Sequence, residues 1–176
     1  MTLIETTFSN PNVLATIALG ISFLSIIIGV CSLWLQHKHN ITSVRPIGII
    51  SLADYEDKLT IRIKNAGMGT LIVKSIETRN NNGNKKEYPI DWMPSGISWA
   101  GFRRDLQKHA IKEGDSVVLL EFKYDPQKHN DTIKDSIRSI LENLTITITY
   151  EDIYGIEQPV ESRSLDWFGR TLSKKK

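Results

Sequence analysis

Positive charge is missing from the start of this chain. All 22 Lys and Arg lie from Lys38 onward, and Glu5 is the sole acid before that point. Cysteine is almost missing too. Cys31 stands alone, inside an apolar run, so the rest of the chain can form no internal disulfide, which agrees with a reducing compartment. The sequence also lacks G-x-S-x-G, a Walker loop, H-E-x-x-H and Cys-x-x-Cys, so no enzyme, metal centre or cofactor is expected. The formal net charge of +2 is small, unlike that of a dedicated DNA-binding module.

What is present first is a long uncharged stretch. Val13 to Leu35 reads VLATIALGISFLSIIIGVCSLWL, 23 residues without a charge. As a helix it is about 34 Å long, enough to cross a hydrocarbon core of about 30 Å. No basic segment precedes it and no small-x-small site follows it, so an uncleaved anchor is expected rather than a signal peptide. His37, Lys38, His39 and Arg45 follow the run. The positive-inside rule then places residues 1–12 outside and everything after the helix in the cytoplasm. Trp34 suits the headgroup zone. Ser9, Asn10 and Pro11 offer a helix start. Residues 36–44 read as a juxtamembrane linker. Its His-x-His spacing reads as interfacial polarity rather than a metal site.

Small side chains within the run fall on one face. Ala15, Ala18, Ser22, Ser25, Gly29 and Ser32 are spaced by alternating threes and fours. Small residues at this spacing let membrane helices approach closely. A self-association seam, and hence a homo-oligomer within the bilayer, is the expectation. The bland alternative is that membrane helices are simply rich in Ala, Gly and Ser, and Thr16, Gly20 and Cys31 do lie off the seam.

Residues 45–170 read as one mainly-β domain, and 171–176 as a basic tail. Leu59, Ile61 and Ile63 alternate with Thr60, Arg62 and Lys64, the pattern of a half-buried strand. Thr70–Thr78, Ser116–Tyr124, Leu144–Tyr150 and Ile156–Ser162 read as further strands, the last two as a hairpin. Asn80–Asn84 is a hairpin tip, since Asn and Gly tolerate positive φ. Asp131–Asn143 carries Ile133, Ile137, Ile140 and Leu141 at helical spacing, with Lys134 and Arg138 on another face and Asn130 or Asp131 as cap. Seven or eight short strands and one helix predict an antiparallel β-sandwich.

Two turns carry a resemblance. Asn65-x-Gly67-x-Gly69 follows one strand, and Lys112-x-Gly114-Asp115 precedes another. This order resembles the immunoglobulin-like sandwich of small bacterial proteins with one membrane helix. It covers about half of the domain and implies an immunoglobulin-like fold with one inserted helix, at a bacterial inner membrane. In architecture and size the chain is also similar to the small membrane effectors of prokaryotic antiphage systems. Among these it most resembles the type III CRISPR ancillary proteins, whose helical anchor carries a cytoplasmic cyclic-oligoadenylate-binding domain. No residue signature carries that second likeness. It implies a cyclic nucleotide held between protomers against basic and aromatic side chains.

The stretch that fits such a ligand is Trp92 to His109. It interleaves Trp92, Trp99 and Phe102 with Arg103, Arg104, Lys108 and His109. Aromatic faces stack on bases, and guanidinium groups pair with phosphate. Trp99, Arg103, Arg104 and Lys108 are therefore the candidate ligand residues. The competing reading is a loop whose Trp side chains fill the core while its charges face water, or whose Arg residues meet anionic lipid. Asp54, Glu56 and Asp57 form an acidic turn that reads as solvated. His109 and His129 lie too far apart to suggest chemistry. Two functions remain open: a sensor and effector that perturbs or permeabilises the membrane, as in antiphage defence, or a tethered protein-binding scaffold with no output of its own.

Overall fold

A computed structural model of the chain describes residues 11–126 and 131–172. The expected helix start at Ser9–Asn10, the helix cap at Asn130, His129 and the Lys174–Lys176 tail lie outside the described residues. The chain divides into two units, one ending at Ser43 and one beginning at Val44.

The first unit is a single helix, α1 (Pro11–Ser43), of 33 residues, none of them buried. It is long and apolar enough to cross a membrane. At 1.5 Å per residue it spans about 50 Å, well beyond the apolar run. The helix thus continues through nearly all of the segment expected to be a linker. No Gly or Pro interrupts residues 36–43, and Pro46 is the first residue that both resists a helix and disfavours it at the residue before. The Ser22 and Ser25 hydroxyls donate to the carbonyls of Ala18 and Ile21, each at 2.8 Å. The Lys38 ammonium lies 5.5 Å from the centre of the Trp34 ring.

The second unit has nine strands among the described residues: β1 (Gly48–Asp54), β2 (Lys58–Asn65), β3 (Leu71–Asn80), β4 (Lys85–Lys86), β5 (Gly101–Phe102), β6 (Ala110–Ile111), β7 (Ser116–Lys123), β8 (Leu144–Glu151) and β9 (Glu161–Ser164). A helix, α2 (Asp131–Leu141), precedes β8, and 3-10 turns cover Pro89–Trp92 and Asp166–Thr171. One sheet runs β1-β2-β7-β5. The other runs β4-β3-β8-β9, with β6 also on β3. Every pairing between these strands is antiparallel.

Both sheets feed one core. β8 alternates strictly, with Leu144, Ile146, Ile148 and Tyr150 inward. β3 changes phase midway: Leu71 and Val73 face in, then Ile76 and Thr78. A bulge at Lys74 causes this, since Val73 pairs with Tyr150 and Ser75 with Thr149. One extra residue flips the alternation. A second bulge in β7 lets Leu119 and Leu120 both enter the core. The last hairpin differs from expectation. β9 starts at Glu161 rather than Ile156, and only a Glu151–Glu157 bridge precedes it. Pro159 has no N–H to donate there, and the buried carboxylate of Asp152 draws the intervening chain into a loop. It accepts the N–H groups of Tyr154 and Ile156 at 2.8 and 2.9 Å.

A buried amide fastens the Val44 end of the domain. The Asn65 side chain is fully buried. Its Oδ1 accepts from Gly67 N–H at 3.0 Å and Ile47 N–H at 3.3 Å, and its Nδ2 donates to the carbonyls of Gly69 at 2.6 Å and Ile111 at 3.1 Å. Its backbone exchanges hydrogen bonds with Asp115 and Gly114. The two turns noted in the sequence thus meet at one residue. The β2–β3 turn also lies directly on the chain leading into β1. A Cβ on Gly67 would strike the backbone of Arg45–Ile47, and one on Gly69 the carbonyl of Val44.

Charges fasten the opposite end. The Asp54 carboxylate, 1% exposed, receives Arg138 through Nε at 3.1 Å and Nη2 at 2.8 Å. Lys134, also buried, lies 3.7 Å from Asp54 and donates to the Glu56 carbonyl at 2.8 Å. The acidic turn is therefore the docking site of α2. Lys134 is part of the packed face rather than the solvated one, because the turn offers it carbonyls that offset its desolvation. Burial pushes the Lys134 ammonium below its ordinary value, with Arg138 adding to the shift and Asp54 opposing it.

Two expectations follow for stability. Replacing Asn65 by Ala leaves buried N–H and C=O groups without partners and is expected to cost about 3 kcal/mol. Urea unfolding followed by tryptophan fluorescence measures this, and an unchanged midpoint would remove Asn65 from its role. Asp54→Ala leaves buried Lys134 without its carboxylate and Arg138 with Asp135 alone, and is expected to cost about 3 kcal/mol. Lys134→Met should cost much less, because Asp54 keeps its two bonds from Arg138. Equal losses in the two variants would contradict this division.

Candidate functional site

The segment from Trp92 to His109 crosses from one sheet to the other. Tyr88 opens it: the Asp91 carboxylate accepts the Tyr88 N–H at 3.1 Å and closes the Pro89–Trp92 turn. Lys86 donates to the Asp91 carbonyl at 2.6 Å and stands 4.7 Å from the centre of the Trp92 ring. Beyond the turn, Ile97 and Trp99 pack against the core, and Trp99 meets Phe122 edge-on with ring centres 5.8 Å apart. The chain then joins the first sheet as β5, and Ala100 and Arg103 donate to the Glu121 and Leu119 carbonyls.

After β5 the chain reverses. Asp105 and Lys108 have φ of 58° and 62°, the left-handed region that non-glycine residues seldom occupy. Buried Leu106 lies between them, and its N–H donates to the Tyr88 hydroxyl at 2.9 Å. Lys108 N–H donates to the Val73 carbonyl, and the Val73 N–H to the His109 carbonyl. The loop is thus sewn to β3 of the second sheet. Burial raises the Tyr88 phenol above its ordinary value, against the bond from Leu106.

The four candidate ligand residues are placed as follows. Arg103 and Arg104 are exposed beside half-exposed Phe102, the Arg104 guanidinium 6.0 Å from the Phe102 ring centre. Arg104 also pairs with Asp91 at 2.7 Å. Trp99 is half-buried with its edge on the core, and Lys108 is exposed where the loop has already reached β3. The fold therefore groups Phe102, Arg103 and Arg104 on the β5 side. Lys108 falls on the other side of the buried Leu106 anchor. Phosphate chemistry at this face would rest on Arg103, since the Arg104 charge already has a carboxylate. On α1, the six seam residues are all exposed along the helix. Among the described residues no group of three His, Cys, Asp or Glu is placed to hold a metal ion.

The sequence does not mark the structural weight of Tyr88 and Asp152. Tyr88 sits in an unremarked Glu-Tyr-Pro, and only the folded loop brings Leu106 to its hydroxyl. Asp152 looked like an ordinary hairpin turn residue.

Tyr88→Phe tests the loop anchor. It leaves the Leu106 N–H without its acceptor and is expected to cost about 1–2 kcal/mol. The sign with pH is fixed by the raised phenol. The folded state keeps a proton that the unfolded chain releases near pH 10, so stability present below that value is lost as pH rises through the folded value. Thermal melts across alkaline pH should show that loss in the parent and less of it in Tyr88→Phe. Parallel curves would contradict it. A scan against protein-family models, a search of curated proteins and a search of solved structures each find no match to this chain.

Proposed function

We propose that this chain is a single-pass protein of the bacterial cell membrane. It holds an immunoglobulin-like sandwich on the cytoplasmic face as a binding module and acts by recognition rather than catalysis. The observation that carries the reading is the strand order behind an apolar helix. Immunoglobulin sandwiches set strands A-B-E-D in one sheet and C-F-G in the other, with C′ added beside C in larger members. The order β1-β2-β7-β5 and β4-β3-β8-β9 follows the same plan, with α2 in the E–F connection. Folds of this kind host many functions, and recognition surfaces are the common use of their loops and edges. The orientation rests on the absence of Lys and Arg before α1 and their abundance after it.

A second reading makes the module a sensor and effector. Its support is the seam of Ala15, Ala18, Ser22, Ser25, Gly29 and Ser32 on a helix with no buried residue. Ser22 and Ser25 satisfy their hydroxyls within the helix, so the face is narrow and carries little polar cost in lipid. Self-association there would couple ligand binding, with a cyclic nucleotide on the Arg103 face as the candidate signal, to a change in the membrane.

Two measurements decide. A Cys at Asn82 should react with an impermeant maleimide only after cells are permeabilised, and one at Thr7 in intact cells; the reverse pattern would invert the topology. In-membrane cross-linking should give a discrete homo-oligomer that Ser25→Leu with Gly29→Leu disperses. A monomer throughout leaves the binding-module reading alone.

A further inference from the structure

The Val44 end of the domain carries an apolar rim. Met68, at the tip of the β2–β3 turn, is 69% exposed, and in the β8–β9 loop Ile153, Tyr154 and Val160 are 56, 57 and 58% exposed. Ile156 in the same loop and Ile47 before β1 are also exposed. These residues belong to one end of the sandwich. The Gly67 and Gly69 backbone rests on Val44–Ile47. The loop reaches the same segment through a 2.6 Å hydrogen bond from Arg45 to Gln158, and Pro159 and Val160 share a concavity with Arg45, Pro46, Ile47 and Gly48. The exposure is built rather than accidental. Buried Asp152 accepts from Tyr154, Ile156 and Gln158, and Gly155 takes φ 76°. The loop is thereby fixed with its apolar side chains outward.

We propose that this rim lies in the interfacial layer of the bilayer and that the domain docks on the membrane through it. The proposal rests on the reading of α1 as a membrane span. Chain length selects the occupant. From Leu35 to Val44 is nine residues, and an α-helix advances only about 14 Å over that length, so the Val44 end stays within that distance of the hydrocarbon edge. The headgroup layer occupies about 5–8 Å of it on each side. An aromatic ring and branched aliphatic side chains suit that layer, half apolar and half wet. The neighbouring exposed charges are of both signs, Arg45, Lys64 and Lys112 against Glu113, Asp115 and Glu157, the last of which pairs with Lys74. Docking is therefore apolar and should not require anionic lipid. Held this way, the sandwich presents the opposite end to the cytoplasm, with the hairpin tip at Asn81–Gly83, about 30 Å away along β3, and α2.

The test uses the full chain in nanodiscs of phosphatidylcholine, in a Cys31→Ser background, with an environment-sensitive fluorophore on Tyr154→Cys, on Asn82→Cys or on Leu24→Cys. Shallow doxyl lipid is expected to quench the label at 154 several-fold more than the label at 82. Adding phosphatidylserine should leave this unchanged. Ile153→Asp with Ile156→Asp should bring 154 down to the level of 82 while the far-ultraviolet spectrum stays the same. Equal quenching at 154 and 82 overturns the docking. A label at 154 that is shielded from both iodide and doxyl lipid also overturns it, in favour of a protein occupant. Strong quenching at Leu24 by deep doxyl lipid shows that the span is intact, so failure of docking is distinguished from failure of the anchor.

Discussion

The domain depends on one side chain that is polar, neutral and completely surrounded by protein. An amide offers two donors and two acceptor sites, and Asn65 uses all of this capacity on four backbone groups from three places in the chain. Those groups belong to the lead-in to β1, the β2–β3 turn and β6. Its own backbone adds the turn before β7. Both sheets are therefore fixed to each other at the Val44 end by hydrogen bonds, not only by apolar packing. A carboxylate of the same shape could accept but not donate, and an apolar side chain could do neither. The glycines at 67 and 69 follow from the same constraint, since the turn must lie flat on the Val44–Ile47 backbone to bring its carbonyl and N–H within reach.

The opposite end uses a different solution. There α2 has to be attached to a β1–β2 turn, and ions do it. Asp54, Arg138 and Lys134 are all nearly removed from water. Such a group is weak as a source of net stability, because desolvation opposes the attraction, but it specifies where the helix sits. An apolar face alone, through Ile137 and Leu141, would allow α2 to slide. The paired charges fix its position.

These two fastenings set what the surface can offer. The Val44 end displays apolar side chains on turns held rigid from beneath by Asn65 and Asp152. The flank carries Phe102, Arg103 and Arg104, with Arg104 already neutralised by Asp91. Met68, Ile153, Tyr154, Ile156 and Val160 thus put much of the domain's apolar exposure at the Val44 end.

Much of this was legible in one dimension. Twenty-three uncharged, mostly apolar residues favour a helix, because within one segment a helix pairs backbone groups locally without water. Alternation in Leu59–Ile63 and Leu144–Tyr150 specified strands and their inner faces, and the period of Ile133, Ile137, Ile140 and Leu141 specified α2. The Asn65–Gly69 and Lys112–Asp115 turns were visible as motifs. Their convergence on one residue was not, since it needs residues 47, 65, 69, 111 and 114 in the same place. The site was the least legible part. Composition placed Trp99, Arg103, Arg104 and Lys108 in one stretch. Only tertiary structure assigned Trp99 to the edge of Phe122, Arg104 to Asp91 and Lys108 to the strand beyond Leu106. The sequence by itself determined the long apolar helix and the strands, because both follow from the local pattern of apolar residues. Tertiary structure decided which polar groups are partners, because hydrogen bonds and ion pairs join residues that are distant in the chain.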